Sequence, residues 1–112
     1  FLSELDRHAA AGSDFAFEST LSGLSYLPRL RQWQVAGYRI EIVYLKLDNV
    51  RLSLDRVAAR VRSGGHAMRE RDIRRRFPRS WTNFQTHYQP LADRASVFDV
   101  SGPTPILIFA KP

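Results

Sequence analysis

The sequence predicts an α/β fold, with a mostly parallel sheet covered by helices, in a single domain over residues 1–112. Strand-like segments alternate with segments of helical spacing along the chain. The clearest strand is mostly apolar from Ile40 to Leu47, as expected of an interior strand with helices on both faces. The 112 residues are 44% hydrophobic, which is enough to bury one core.

The chain is predicted to begin with a helix and a short strand. Apolar residues from Phe1 to Ala9 fall near helical spacing, and Gly12 is a natural stop. No capping residue or initiator methionine precedes Phe1, so we expect that the chain has lost its beginning. Phe15 and Phe17 alternate with polar residues, which predicts a strand over 13–19.

The second helix is expected to begin around Ser25, with Pro28 in its first turn, and to end at Gly37. A strand over 38–47 follows, because this stretch is rich in β-branched and aromatic residues.

The third helix is expected to begin at a cap formed by Asp48 or Asn49 and to end at Gly64 and Gly65. Its inner stripe is predicted to be Leu54, Val57, Ala58 and Val61.

A fourth helix is predicted from five apolar residues on one face: Phe77, Trp81, Phe84, Tyr88 and Leu91. Pro78 falls inside this pattern, so we expect a kink or a break at Phe77. Strands over 95–100 and 105–110 follow, and the link between them is too short for a crossover helix. The last two strands should therefore be antiparallel.

The positive charge is concentrated in one part of the chain. The whole chain carries +6, whereas residues 51–79 alone hold ten arginines and three acidic residues. Arginine suits forked recognition of phosphate or carboxylate, although high genomic GC content gives the same excess of arginine.

The absence of cysteine excludes disulfides, thiolate zinc sites and thiol catalysis. No apolar run reaches the length of a membrane span, so we expect no membrane partner and a cytoplasmic location.

Five motifs occur in an order that resembles a known family. They are FAFESTLSG (15–23), AGYRIEIVYLKL (36–47), RVAARVRSGGH (56–66), DIRRRFPRS (72–80) and PLAD (90–93). This succession resembles the C-terminal portion of the zeta-toxin-like P-loop kinases. The resemblance implies a P-loop-kinase-like fold that is incomplete at its N-terminus. It also implies a toxin–antitoxin enzyme, a phosphotransferase that uses ATP and Mg²⁺ to phosphorylate a hydroxyl of a UDP-sugar-like substrate.

The chain departs from this family where the phosphate-binding loop is concerned. It contains no G-x-x-x-x-G-K-[ST] motif, and neither of its two lysines, Lys46 and Lys111, lies near a glycine-rich loop. The acidic residue taken as the catalytic base in the family also lies upstream of the part present here. We therefore expect the chain to be inactive alone, with ATP and Mg²⁺ held only by the complete domain.

Glu18 and Thr20 are the candidate substrate-binding residues. They end the first predicted strand, and ligands of parallel sheets bind beyond the carboxyl ends of the strands. By resemblance, the carboxylate accepts hydrogen bonds from sugar or nucleoside hydroxyls and the threonine adds a polar contact. The alternative is structural, since Ser19, Thr20 and Ser22 are all able to cap the next helix.

The candidate phosphate-binding residues lie in the basic segment. The resemblance implies that Arg60, and one residue of the Arg74–Arg76 run, taken as Arg75, neutralise charge during phosphoryl transfer. It implies that Arg62 and His66 contact the nucleotide phosphates. The alternative is a solvated basic surface, which is the usual reason for a run of charges. The three histidines are scattered, so no metal site is predicted from the protein's own residues.

Two other kinds of function remain open. The basic segment would also suit a binding module for nucleic acid or an acidic protein, with nucleic acid the weaker alternative. A fragment that folds only with a missing segment would expose a sheet edge and favour self-association. An antitoxin-like protein is a further candidate partner.

Overall fold

The computed structural model describes residues 2–111, which form helices packed on one small sheet. The helices are α1 (Leu2–Ala10), α2 (Leu27–Val35), α3 (Val50–Arg62), α4 (Glu70–Asn83) and α5 (Gln89–Leu91), with a π-helical turn (Phe84–Tyr88) between the last two. The strands are β1 (Glu41–Lys46), β2 (Arg94–Asp99) and β3 (Ile106–Lys111). Phe1, which the sequence places in the first helix, lies outside the described residues.

The prediction of a mostly parallel sheet covered by helices is wrong. The sheet has three strands in the order β1-β2-β3; β1 and β2 are parallel, and β2 and β3 are antiparallel. The short link between β2 and β3 enforces the antiparallel pair, as the sequence predicted. Because β3 lies on the far side of β2, β1 remains an edge strand rather than an interior one.

The predicted strand over 13–19 does not form. Residues 13–20 belong to no helix and to no sheet. Phe15 packs edge-on against Trp33 and Tyr38, and Phe17 lies against Tyr26. These aromatic contacts partly bury the two side chains without backbone pairing, so the segment contributes no parallel strand.

Only one face of the sheet is well covered. Ala95 and Val97 of β2 are buried in the core and are paired in register with Ile42 and Tyr44 of β1. The other face remains open, and its apolar residues Val43, Leu45 and Leu107 are 55%, 61% and 54% exposed. A sheet covered on both faces would not leave these side chains in water.

The core centres on the helical face predicted from the sequence. Phe84 and Tyr88 are almost fully buried, and Trp81 packs with Phe84 and Tyr44. Of the kink or break expected at Phe77, the break is wrong, because α4 continues through Pro78. The π-helical turn follows further on, at Phe84–Tyr88.

The predicted helix boundaries are otherwise close to those observed. Pro28 lies in the first turn of α2, as expected. Asn49 rather than Asp48 caps α3, since its Oδ1 accepts a hydrogen bond from Leu52 N–H at 3.1 Å. Among the described residues, no helix is long and apolar enough to cross a membrane.

Candidate functional site

A cleft of about 1050 Å³ lies along the free edge of β1. Segment 15–21 forms one wall, and β1 with residues of α3 and α4 forms the other. Most of its lining residues are apolar; Arg39 and Glu41 lie where β1 begins, and Lys46 and Asp48 lie where it ends. Beyond the carboxyl end of a strand is where ligands bind in open α/β sheets, so this end of the cleft is the candidate site.

The loop that carries Thr20 is held against α4 by side chains of the long helix. Ser80 Oγ makes a short hydrogen bond to the carbonyl of Thr20, and Asn83 Nδ2 donates to the carbonyl of Leu21 at 2.9 Å. Leu21 has a positive φ of 55°, an uncommon conformation for a residue with a branched side chain. Anchoring by α4 therefore determines the path of this loop.

The capping alternative for Ser19, Thr20 and Ser22 is not what the structure shows. α2 begins several residues later, and no side chain caps its first turn. Ser19 Oγ instead accepts a hydrogen bond from Leu21 N–H at 3.1 Å, and Thr20 Oγ1 lies 3.0 Å from Ser22 Oγ. These side chains stabilise the loop itself and leave the carboxylate of Glu18 exposed at the cleft.

A hydroxyl pair and a cation–aromatic contact form the floor of the site. Tyr44 Oη lies 2.8 Å from Ser80 Oγ, and burial raises the pKa of the Tyr44 hydroxyl although this hydrogen bond partly opposes the change. Lys46 Nζ lies 5.2 Å from the centre of the Trp81 ring. β1 thus delivers a neutral hydroxyl and one cation to the carboxyl end of the cleft.

Three of the residues chosen from the sequence line this cleft together. They are Glu18, Thr20 and Arg60. Arg62 lines a separate, smaller groove between α3 and α4, and His66 borders neither. Arg75 lies outside the cleft, where its guanidinium pairs with Asp72 at 3.2 Å.

Sequence reasoning missed two cations of the site. Arg76, the neighbour of Arg75, lines the cleft, as does Lys46. Helical spacing could have identified Arg76, because it lies four residues before Ser80 and so on the same face of α4. Lys46 ends the parallel strand, a position that favours ligand contact.

The glycine pair after α3 fixes the position of Arg60. Gly65 N–H donates to the carbonyl of Arg60 at 2.8 Å, and Gly64 adopts a φ of +94°. A Cβ atom on Gly65 would lie 2.9 Å from the Arg60 carbonyl oxygen and 2.7 Å from its Cγ. The turn therefore requires glycine at position 65, and it packs directly against Arg60, which lines the cleft.

The ends of β1 and β2 are joined by Ser101. Its Oγ accepts a hydrogen bond from Asp48 N–H at 2.8 Å, and its own N–H donates to Asp99 Oδ1 at 2.9 Å. The hydrogen bonds from Ser101 lower the pKa of the Asp99 carboxyl, which therefore stays charged at neutral pH.

The residues of the cleft do not form a magnesium site. Within residues 2–111, no group of three or more histidine and carboxylate side chains is placed to hold a metal ion. The cleft is lined by three carboxylates, Glu18, Glu41 and Asp48, and by four cations, Arg39, Lys46, Arg60 and Arg76. A surplus of positive charge suits an anion such as a phosphate group better than a divalent cation.

Comparisons with known proteins give no family. No family model and no solved structure match the chain. An uncharacterized protein of Haemophilus influenzae strain Rd is 36% identical over 63 residues, which is 56% of this chain. This chain covers 45% of that relative's length. The resemblance to the zeta-toxin-like kinases therefore stays a prediction.

Proposed function

We propose that this chain is the C-terminal portion of an ATP-dependent small-molecule kinase resembling the zeta toxins. The reaction would transfer the γ-phosphoryl group of ATP to a hydroxyl of a UDP-sugar-like substrate. One observation carries the proposal: Glu18 and Thr20 line the same cleft as Arg60 and Arg76. A hydroxyl-binding carboxylate beside two guanidinium groups is the combination that a phosphorylated sugar nucleotide requires.

In this proposal the residues of the chain bind and orient. The exposed carboxylate of Glu18 accepts hydrogen bonds from the hydroxyls of the sugar. Arg60 and Arg76 donate to phosphate oxygens and neutralise the charge that builds up on them. ATP would supply the phosphoryl group, and the magnesium ion that accompanies it needs ligands that the cleft does not offer.

The chain alone is proposed to bind but not to transfer phosphate. A P-loop lysine is absent from the 112 residues, and both lysines already have other contacts. Lys46 lies over Trp81, and Lys111 Nζ donates to the carbonyls of Gln89, Pro90 and Ala92. Recombinant protein should therefore show no ATP hydrolysis above background.

Calorimetric titration with UDP-N-acetylglucosamine tests the substrate half of the proposal. We expect binding that Glu18→Gln weakens by about tenfold, since hydrogen bonds to a charged group contribute about 1.5–3 kcal/mol. Glu70→Gln is the matched control, because Glu70 pairs with Arg74 away from this cleft. No binding, or equal effects of the two substitutions, would contradict the proposal.

The exposed arginines favour a second candidate, a binding module for nucleic acid or an acidic protein. Arg69, Arg71 and Arg79 are exposed, whereas Arg51, Arg74 and Arg75 form ion pairs within their own helices. Titration of fluorescent single-stranded RNA between low and moderate salt separates this candidate from the first. A steep log-linear loss of affinity with salt is expected of a nucleic-acid-binding module, and no binding is expected of the kinase fragment.

A further inference from the structure

The free edge of β1 carries a row of unused backbone hydrogen-bonding groups. The carbonyl of Ile40 accepts from Arg94 N–H at 3.1 Å, and the carbonyl of Lys46 accepts from Val100 N–H at 2.9 Å. In a parallel pair the residues of one strand alternate in the direction of their backbone groups. The even-numbered residues of β1 therefore bond to β2, and the N–H and C=O groups of Glu41, Val43 and Leu45 point away from it.

These outward groups face the cleft. Glu41, Val43 and Leu45 all line it, and residues 2–111 place no strand on this edge. The opposite wall is segment 15–21, which belongs to no sheet. The cleft is thus a slot with a strand edge on one side and a segment outside the sheet on the other.

The side chains around the slot are apolar on both faces of the sheet. Ile42 and Tyr44 border it on the core side, and Val43 and Leu45, which are more than half exposed, border it on the open side. A strand in this slot would place every second side chain next to Ile42 and Tyr44, and the side chains between them next to Val43 and Leu45. Its sequence should therefore be continuously apolar and β-branched rather than alternating.

Charge at the end of the slot selects the direction of the incoming chain. Arg39 and Glu41 balance each other where β1 begins, whereas Lys46, Arg60 and Arg76 outnumber Glu18 and Asp48 among the other residues that line the cleft. An inserted strand parallel to β1 would bring its own carboxyl end to the place where β1 ends. An acidic residue after the apolar run is attracted there, and a basic one is repelled.

We infer that the free edge of β1 is a binding site for an extended apolar segment of polypeptide, ending in an acidic residue, that adds to the sheet parallel to β1. Strand addition of this kind draws its affinity from main-chain hydrogen bonds and its specificity from the side-chain pockets on each face. The inference stands on the strand edge and the cleft walls, and it does not depend on the proposed kinase reaction.

Hydrogen exchange of the full chain, with the capped peptide Lys-Val-Ile-Val-Val-Ile-Glu as probe, tests the site. At saturating peptide the amides of Val43 and Leu45 should exchange at least about tenfold more slowly, because only the outward amides gain partners. Absence of binding up to about 1 mM peptide, or binding without this protection, would overturn the proposal.

A pair of substitutions separates backbone pairing from apolar contact. Val43→Pro removes the outward N–H but leaves the pairing with β2, and proline is tolerated on edge strands in this orientation. It should weaken the peptide by about tenfold, whereas Val43→Thr, which keeps the N–H, should bind within about twofold of the wild type. Equal effects of the two variants would contradict strand addition.

Two altered peptides complete the test. A peptide N-methylated at alternate residues keeps its side chains but loses one hydrogen-bonding edge, and it should not bind. A peptide with its lysine and glutamate exchanged should bind more weakly, and equal affinity would overturn the parallel direction. Protection of Val43 and Leu45 without peptide, increasing with protein concentration, would assign the edge to a second copy of the chain and overturn the proposed partner.

Discussion

The hydroxyl of Tyr88 donates a 2.7 Å hydrogen bond to the carbonyl of Gly23, across 65 residues of sequence. The Tyr88 side chain is fully buried, so this contact joins the centre of the core to the loop that follows Thr20. Burial also raises the pKa of the Tyr88 hydroxyl, which therefore remains a donor at neutral pH. Tyr88 therefore both fills the core and anchors the loop next to the candidate site.

Tyr88→Phe should destabilise the protein and loosen the site together. It removes the hydroxyl and leaves the Gly23 carbonyl without this donor, which costs about 1–2 kcal/mol of unfolding free energy. Urea denaturation followed by tryptophan fluorescence measures the loss. Thr86→Ala, an exposed change in the same π-helical turn, is the control and should stay within about 0.5 kcal/mol of wild type. Equal stability of Tyr88→Phe and wild type would refute the contact.

Gly65→Ala should displace Arg60 and weaken ligand binding. The added Cβ would meet the Arg60 carbonyl at 2.9 Å, and backbone cannot move aside as a flexible side chain can. We expect a loss of about 1–3 kcal/mol in unfolding free energy, the usual cost of overpacking. Gly23→Ala is the matched control, since a Cβ there has nothing within 4 Å and should change stability little. A Gly65→Ala variant as stable as the control would show that the turn can relax.

The local elements were readable from the sequence because local patterns determine them. The apolar face from Trp81 to Leu91, the proline in the first turn of α2 and the antiparallel last pair are all observed. Helical spacing and a short link specify these features without reference to distant residues. The strand predicted over 13–19 failed because a strand needs a partner edge, which its own residues do not encode.

The site was less predictable than the elements. Glu18, Thr20 and Arg60 line the cleft, whereas Arg75 lies outside it, paired with Asp72, and its neighbour Arg76 lines it. Neighbouring helical residues point about 100° apart, so the phase of the helix decides which of them reaches a ligand. That phase is set by tertiary contacts such as the bonds of Ser80 to Tyr44 and Thr20, which no local pattern shows.

Arg60→Gln and Arg76→Gln should each weaken the binding of UDP-N-acetylglucosamine by about tenfold, since each removes a charged donor from the cleft. Calorimetry measures the change. Arg75→Gln provides the internal comparison, because Arg75 is one residue away, equally charged and paired with Asp72 outside the cleft. A similar loss with Arg75→Gln would indicate general electrostatic attraction rather than a specific site.

Asp93 should make stability depend on pH in the acidic range. Its Oδ2 accepts hydrogen bonds from Ile40 N–H at 2.6 Å and from Gln34 Nε2 at 3.2 Å, and these bonds lower the pKa of the Asp93 carboxyl. A carboxyl whose pKa is lower in the folded state stabilises the fold above its unfolded pKa of about 3.9, and this contribution is lost as the pH falls further.

Denaturation of wild type and Asp93→Asn between pH 7 and pH 2 tests this dependence. The variant should be less stable at pH 7 and should lose less stability on acidification, so that the two curves converge at low pH. Asp14→Asn, which removes an exposed carboxylate from segment 13–20, should follow the wild-type curve. Parallel curves for Asp93→Asn and wild type would contradict a role for the charged carboxylate.

Lys111→Met should destabilise the end of the long helix more than Lys46→Met does. Lys111 Nζ donates to the carbonyls of Gln89, Pro90 and Ala92 at 3.0, 3.2 and 2.7 Å, and thereby satisfies backbone acceptors that the end of a helix leaves open. Methionine keeps the length of the side chain but not the donors, so we expect a loss of about 1–3 kcal/mol in unfolding free energy. Lys46→Met loses a cation–aromatic contact, which contributes about 0.5–1 kcal/mol at an accessible position. Urea denaturation of the two variants measures the difference. A smaller loss for Lys111→Met would mean that water satisfies the three carbonyls as well as the ammonium group does.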